Sequence, residues 1–83
     1  MSSDFDAVLT GIQAVCREVF ENPALVITPE MTAEDVPNWD SLNHLNIVAS
    51  VEHRFGIRFR TSEIEKLRNV GDFVSMILSK QKH

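Results

Sequence analysis

Apolar residues recur at three- and four-residue steps over residues 4–21: Phe5, Val8, Leu9, Ile12, Cys16, Val19 and Phe20. That spacing predicts an amphipathic first helix. Ser3, with Asp6 three residues on, is a variant capping box at its start. Asn22-Pro23 ends it, because the residue before a proline is driven out of the α region. A second helix is predicted over 41–55. Leu42, Leu45, Val48, Ala49, Glu52 and Phe55 share one face, Ile47 and Val51 widen the stripe, and Gly56 stands where a terminating glycine belongs. Ile57 and Phe59 then alternate with Arg58 and Arg60. A lone strand there would have no pairing partner, so the segment reads as an extended connection with two apolar anchors. Thr61 or Ser62 caps a short third helix, about 62–68, with Ile64 and Leu67 facing inward and Ser62–Glu65 as its capping pair. Asn69 caps a last helix, about 70–80, whose inner face is Val70, Phe73, Val74, Ile77 and Leu78. The tail from Lys80 to His83 is expected to fray.

Between the first two helices lies a long connection, residues 22–40, punctuated by Pro23, Pro29 and Pro37. Loops above about 12–15 residues are uncommon in compact domains and are often functional. Leu25, Val26, Ile27, Met31, Val36 and Trp39 should pin this one to the core, and Thr32 could cap a single helical turn, Thr32–Asp35. The expected fold is all-α: a four-helix bundle with a short third helix and a long loop between the first and second helices.

Composition narrows the function. A chain of 83 residues is one small domain. It buries only about 60% of the surface its unfolded form exposes, too little to enclose a deep catalytic cleft easily. The single cysteine, Cys16, excludes an intramolecular disulfide, and with no signal peptide visible the expectation is a reducing cytoplasm. No apolar run approaches the roughly 20 residues needed to span a bilayer. The net charge of −4 is unevenly spread: residues 1–40 carry −7 and residues 41–83 carry +3. An acidic chain without a dense basic stripe is a poor nucleic-acid binder.

The candidate chemistry gathers at Trp39-Asp40-Ser41-Leu42, where the loop runs into the second helix. Asp40, Ser41 and His44 lie within one turn and invite a hydrolytic relay. Such a relay on an exposed helix turn would lack an oxyanion hole and a pocket that excludes water. On local signals, Asp40 or Ser41 caps the helix and His44 is a solvated side chain. His44 and His53 are nine positions apart, with no further ligand at metal-binding spacing. His53 is expected to face solvent, and Cys16 to be a buried, inert thiol. Trp39, the only tryptophan, reads as a loop anchor and a possible partner contact.

Asp40-Ser41-Leu42, followed by Leu45, Val48, Ala49, Glu52 and Phe55, resembles the acyl carrier proteins and related phosphopantetheine-binding carriers. The likeness continues through Phe55-Gly56-Ile57-Arg58-Phe59 and Val70-Gly71-Asp72-Phe73 and spans about residues 4–80. It implies a single carrier domain over 1–83, monomeric and without catalytic activity of its own. It implies that Ser41 is esterified to 4′-phosphopantetheine, transferred from coenzyme A by a phosphopantetheinyl transferase. The arm's thiol would then hold acyl groups as thioesters. Asp40 would help position magnesium and the serine during attachment. Leu42, with Trp39, His44 and Leu45, would meet the acyl-loading and acyl-using enzymes of the pathway. Neither nucleic acid nor membrane is implied as a partner. An unmodified adaptor with the carrier fold, binding only a protein partner, is the alternative. One departure stands out. Fatty-acid carriers have a strongly acidic second helix, whereas this one has Asn43, His44, Asn46, Glu52, His53 and Arg54. Electrostatic steering along it should be weak or reversed at its far end, which points to a specialised fatty-acid-like or polyketide-like pathway.

Overall fold

The computed structural model describes residues 2–36 and 38–81, with side chains from residue 4 onward. Four helices follow in order: α1 (Ser2–Val19), α2 (Ser41–Phe55), α3 (Thr61–Glu65) and α4 (Val70–Gln81), with one 3-10 turn at Ala33–Asp35. No strand occurs among the described residues, and 57–60 is an extended connection as expected. α1 packs against both α2 and α4. Val8, Ile12, Val15 and Cys16 of α1 meet Ile47, Val48 and Val51 of α2 and Val70, Phe73, Val74 and Ile77 of α4. Burying one such side chain is worth about 1.5–3 kcal/mol.

α1 begins and ends two residues earlier than its apolar pattern predicts. Ser2 is already helical, ahead of the expected cap Ser3, whose side chain lies outside the described residues. At the other end Glu21 adopts a left-handed conformation (φ 53°). Asn22 N–H then donates to Arg17 C=O at 2.9 Å and Glu21 N–H to Glu18 C=O at 3.3 Å. This doubly bonded cap stops the helix before Pro23 has any effect. α2 ends in the same way at Gly56 (φ 66°), with Ile57 N–H on Glu52 C=O. Here glycine supplies the left-handed conformation without strain.

The long loop is fastened from both sides. Arg17 Nε donates to Leu25 C=O at 2.6 Å, and Ile27 N–H to the Gln13 side chain at 3.0 Å. At the start of α4, Val70 N–H donates to Met31 C=O and Gly71 N–H to Pro29 C=O. Two amides that the helix leaves unpaired thus hold the loop. A Cβ on residue 71 would lie 3.2 Å from the Pro29 oxygen, so glycine permits that approach. Ile27 and Val36 are buried and Val26 faces outward. Asp35 closes the Thr32 turn by accepting the Thr32 N–H at 3.0 Å. Asn69 caps α4 as expected, its Oδ1 accepting from Asp72 N–H at 2.8 Å.

α3 differs from its prediction in extent and cap. It spans Thr61–Glu65, and the reciprocal bond joins Arg60 N–H to Glu63 Oε1 at 2.8 Å rather than Ser62 to Glu65. Glu63 prevails because Lys80, inside α4 rather than in a frayed tail, pairs with it at 2.8 Å and lies over the Phe59 ring. The Arg60 amide and the Lys80 ammonium hold the Glu63 carboxyl below the usual carboxylate range. Lys82 and His83 lie outside the described residues.

The packing divides the apolar stripe of α2. Ile47, Val48 and Val51 are buried and Phe55 is half-buried, whereas Leu42, Leu45 and Ala49 of the predicted shared face are exposed, Leu42 by 68% and Leu45 by 57%. At about 100° per residue the two sets are centred roughly 150° apart on the helix. α1 packs against α2, and the Ile47–Val51 side joins the core while the other side is left open. Glu52, grouped with the inner face, is half-buried; its Oε2 accepts Phe59 N–H at 2.7 Å and ties the extended segment to α2.

Candidate functional site

The backbone turns into α2 through Asn38, in a left-handed conformation (φ 70°), and Asp40, which is extended. Asp40 caps the helix: its Oδ1 accepts from Asn43 N–H at 2.9 Å, and its C=O from His44 N–H at 2.8 Å. The Asn43 side chain donates back to Asn38 C=O at 2.8 Å and steadies the turn. Of the two capping candidates the structure therefore selects Asp40. Ser41 becomes the first residue of α2, exposed and released from capping duty.

Trp39 and His44 face each other. The indole Nε1–H donates to His44 Nδ1 at 3.1 Å, and the indole packs at a tilt on Phe20, ring centres 5.8 Å apart. Both residues are half-buried, so His44 is not the solvated side chain that local sequence suggests. Burial holds its imidazole below the ordinary value, because the charged form is penalised there. A neutral Nδ1 is also the form that can accept the indole proton. Asp40 and His44 are thus committed to the cap and to Trp39, and no hydrolytic relay is assembled at Ser41. Among the described residues no group of three His, Cys, Asp or Glu could hold a metal ion. His53 faces solvent. Cys16 is fully buried, and burial pushes its thiol up to about 12.

Ser41 opens onto an apolar groove formed by Ala33, Trp39, Leu45 and Leu67, with Asp40 and His44 as polar neighbours. Adjoining it is a small, half-open pocket of about 30 Å³ lined by Met31, Thr32, Arg68, Asn69, Val70 and Phe73. Such a space holds little more than water. Ala33, Trp39, His44 and Leu67 border both spaces. Of the sequence-derived site residues, Trp39, Asp40, Ser41, His44 and Leu45 come together here, while Leu42 points away into solvent. Ala33, Leu67 and Phe20 complete the surroundings. Sequence periodicity assigned Leu67 and Phe20 to inward faces but gave no sign that either meets the Ser41 region, since only the packed bundle brings them there.

A charged phosphodiester on Ser41 fits this geometry. The oxygen makes no hydrogen bond among the described residues, and the helix start favours a negative charge by up to about 1 kcal/mol. No helix among the described residues is long and apolar enough to cross a membrane.

No family model matches the chain. Individual relatives do. The acyl carrier protein of Acidothermus cellulolyticus is 32% identical over 77 residues, covering 93% of this chain and 92% of that one. The acyl carrier protein of Helicobacter pylori is 34% identical over 71 residues, covering 86% and 91%. Among solved structures, the solution structure of holo acyl carrier protein from Geobacter metallireducens superposes with a TM-score of 0.81 at 34% identity, covering 92% of this chain and 94% of that one. With near-complete coverage in both directions and a shared helical architecture, the chain belongs to the acyl carrier protein family.

Proposed function

We propose that this chain carries acyl groups on a 4′-phosphopantetheine arm esterified to the Ser41 hydroxyl and performs no catalysis itself. The observation that carries the reading is the division of labour at the start of α2: Asp40 makes the cap, and Ser41 stands exposed on a rigid first turn beside an apolar groove. The holo state of the Geobacter metallireducens relative supports it. When bound, the arm supplies a thiol that takes acyl groups as thioesters. Ser41 supplies the attachment oxygen, Asp40 keeps the turn in shape, and the groove offers apolar surface to the cargo. A phosphopantetheinyl transferase would attach the arm from coenzyme A. In that complex the second carboxylate oxygen of Asp40, not engaged by Asn43, could help position magnesium.

Acyl-loading and acyl-using enzymes would dock over Leu42 and Leu45, the exposed leucines flanking Ser41. The same side of α2 continues through Asn46, Ala49 and His53, all exposed and none acidic. Its partners would therefore present less basic surfaces than fatty-acid enzymes, as in a specialised fatty-acid-like or polyketide-like pathway. Efficient, strongly salt-dependent turnover with a standard fatty-acid ketosynthase would overturn that part. We further propose a monomeric, single-domain carrier working in the cytoplasm.

The test is the intact mass after incubation with coenzyme A, magnesium and a promiscuous phosphopantetheinyl transferase. An increment of one arm, abolished by Ser41→Ala, supports the carrier. No increment supports the unmodified adaptor.

A further inference from the structure

We propose that the far end of α2 reads an acidic patch on the partner enzyme. Arg54 and Arg58, on either side of His53, make the contact, and the partner carries its acidic residues about 18 Å from the opening that admits the arm. The inference rests on the carrier reading above and deepens it by giving the partner its charge.

The exposed side of α2 changes character along its length. Near Ser41 it is apolar, with Leu42 and Leu45. The surroundings there are acidic: Asp40 caps the helix, and Ala33, which lines the Ser41 groove, is followed by Glu34 and Asp35. Asn46 and Ala49 are neutral, and His53 ends the same row in the last turn. Two open grooves flank His53. One is bordered by Gly56 and Arg58, the other by Ser50, Arg54 and Glu18 of α1. Arg54 and Arg58 therefore stand on opposite sides of a single ridge, both exposed.

Neither guanidinium is engaged within the molecule. Among the described residues the one ion pair joins Lys80 to Glu63, and Glu18 shares its groove with Arg54 without pairing with it. Glu52, the only acid between Ser41 and Arg60, is taken by Phe59 N–H. A helix end favours cations by itself, which accounts for a base in the last turn such as Arg54. It does not account for Arg58, which lies beyond Gly56 on the extended segment, exposed while its neighbours Ile57 and Phe59 pack on the core.

The whole chain carries −4, yet exposed charges more than about 8–10 Å away are largely screened at physiological salt. An approaching surface therefore meets the local pair of arginines and not the net charge. A helix rises 1.5 Å per residue, so the way from Ser41 to His53 spans about 18 Å. A standard interface takes about 800 Å² from each partner, roughly 28 Å on a side, and covers both ends at once. The basic end thus fixes how the partner is turned about the arm. Turned the other way along α2, its acidic patch would meet Asp40 and the loop acids, and the repulsion rejects that pose.

The probe is a standard fatty-acid ketosynthase in two forms. One is natural, with a basic docking surface; in the other, the lysines and arginines about 18 Å from its arm entrance are replaced by glutamate. The arm-bearing carrier, labelled with fluorescein on its amino terminus, is titrated with each form, and binding is read by anisotropy. Intact mass reports the arm beforehand, which tests the carrier reading separately; if no arm is attached, that reading fails and the same titration runs on the unmodified protein. The carrier should bind the acidic form at least about tenfold more tightly at low salt, and high salt should erase the difference. Arg54→Glu combined with Arg58→Glu should reverse the preference, with a urea melt confirming that the variant folds. Arg58→Glu alone, outside the helix, should weaken the preference if the double variant does not fold. Equal binding to the two forms, tighter binding to the natural form, or a preference that survives the substitutions would each overturn the proposal. So would self-association of the carrier that the double variant abolishes, which would assign the arginines to a second copy.

Discussion

The indole Nε1–H of Trp39 donates to Nδ1 of His44 across 3.1 Å, joining the end of the long loop to the half-buried side of α2. That bond requires a neutral imidazole, and burial already depresses the His44 pKa below the ordinary value of about 6.5. The unfolded chain therefore binds this proton at a higher pH than the folded one. The contribution to stability is complete above about pH 6.5 and falls as the pH drops from there towards the folded value, flattening beneath it. An NMR titration of His44 should give a midpoint under 6.5, with the Trp39 indole signal moving in step. A midpoint at or above 6.5 would contradict the neutral acceptor.

Ser41 and Asp40 should separate cleanly. Ser41→Ala removes an exposed side chain outside the cap, so stability should stay within about 0.5 kcal/mol of the parent while modification is lost. Asp40→Ala removes the acceptor for Asn43 N–H and should cost about 1 kcal/mol by urea melting. Asp40→Asn keeps a capping oxygen; it should restore most of that stability but still slow arm transfer. Equal transfer rates for Asp40→Asn and the parent would confine Asp40 to capping.

On α2, Leu42→Ala and Leu45→Ala should leave the melting curve nearly unchanged and slow acyl transfer to a partner enzyme. Ile47→Ala, at a fully buried position, should cost about 2–5 kcal/mol. If Leu42→Ala destabilises as much as Ile47→Ala, the observed orientation of the helix is wrong.

Cys16 is fully buried with its thiol raised to about 12, so very little thiolate forms at pH 8. The native unmodified protein should resist iodoacetamide, and the arm-bearing protein should gain a single adduct. Two adducts on the folded, arm-bearing form would show that Cys16 is accessible.

Much of this molecule is legible in its amino acids because the signals are local. Three- and four-residue spacing marks α1, α2 and α4. Gly56 marks the end of α2 through its left-handed backbone, Asn69 marks the start of α4 through its side chain, and the Thr32 turn is marked by the Asp35 carboxylate reaching back three residues to the Thr32 N–H. The capping role of the Asp40-Ser41 junction is equally local, whereas Ser41 stands out as a candidate attachment point only through the resemblance carried by the longer frame around it. Packing decided the rest. α2 carries apolar residues on two sides, and periodicity cannot rank them. α1 took the Ile47–Val51 side, and Leu42, Leu45 and Ala49 were left to solvent. Likewise Arg60 became the N-cap of α3, its N–H held by the Glu63 carboxylate that Lys80, 17 residues later, lies beside. Trp39 and His44 show the same division. The chain placed them five residues apart across a loop–helix junction. Only Phe20 behind the indole and the seat of Val36 in the core turned them to face each other. Short-range hydrogen bonds and helical period are properties of the chain, whereas the choice between two apolar faces is a competition for burial that the assembled bundle alone resolves.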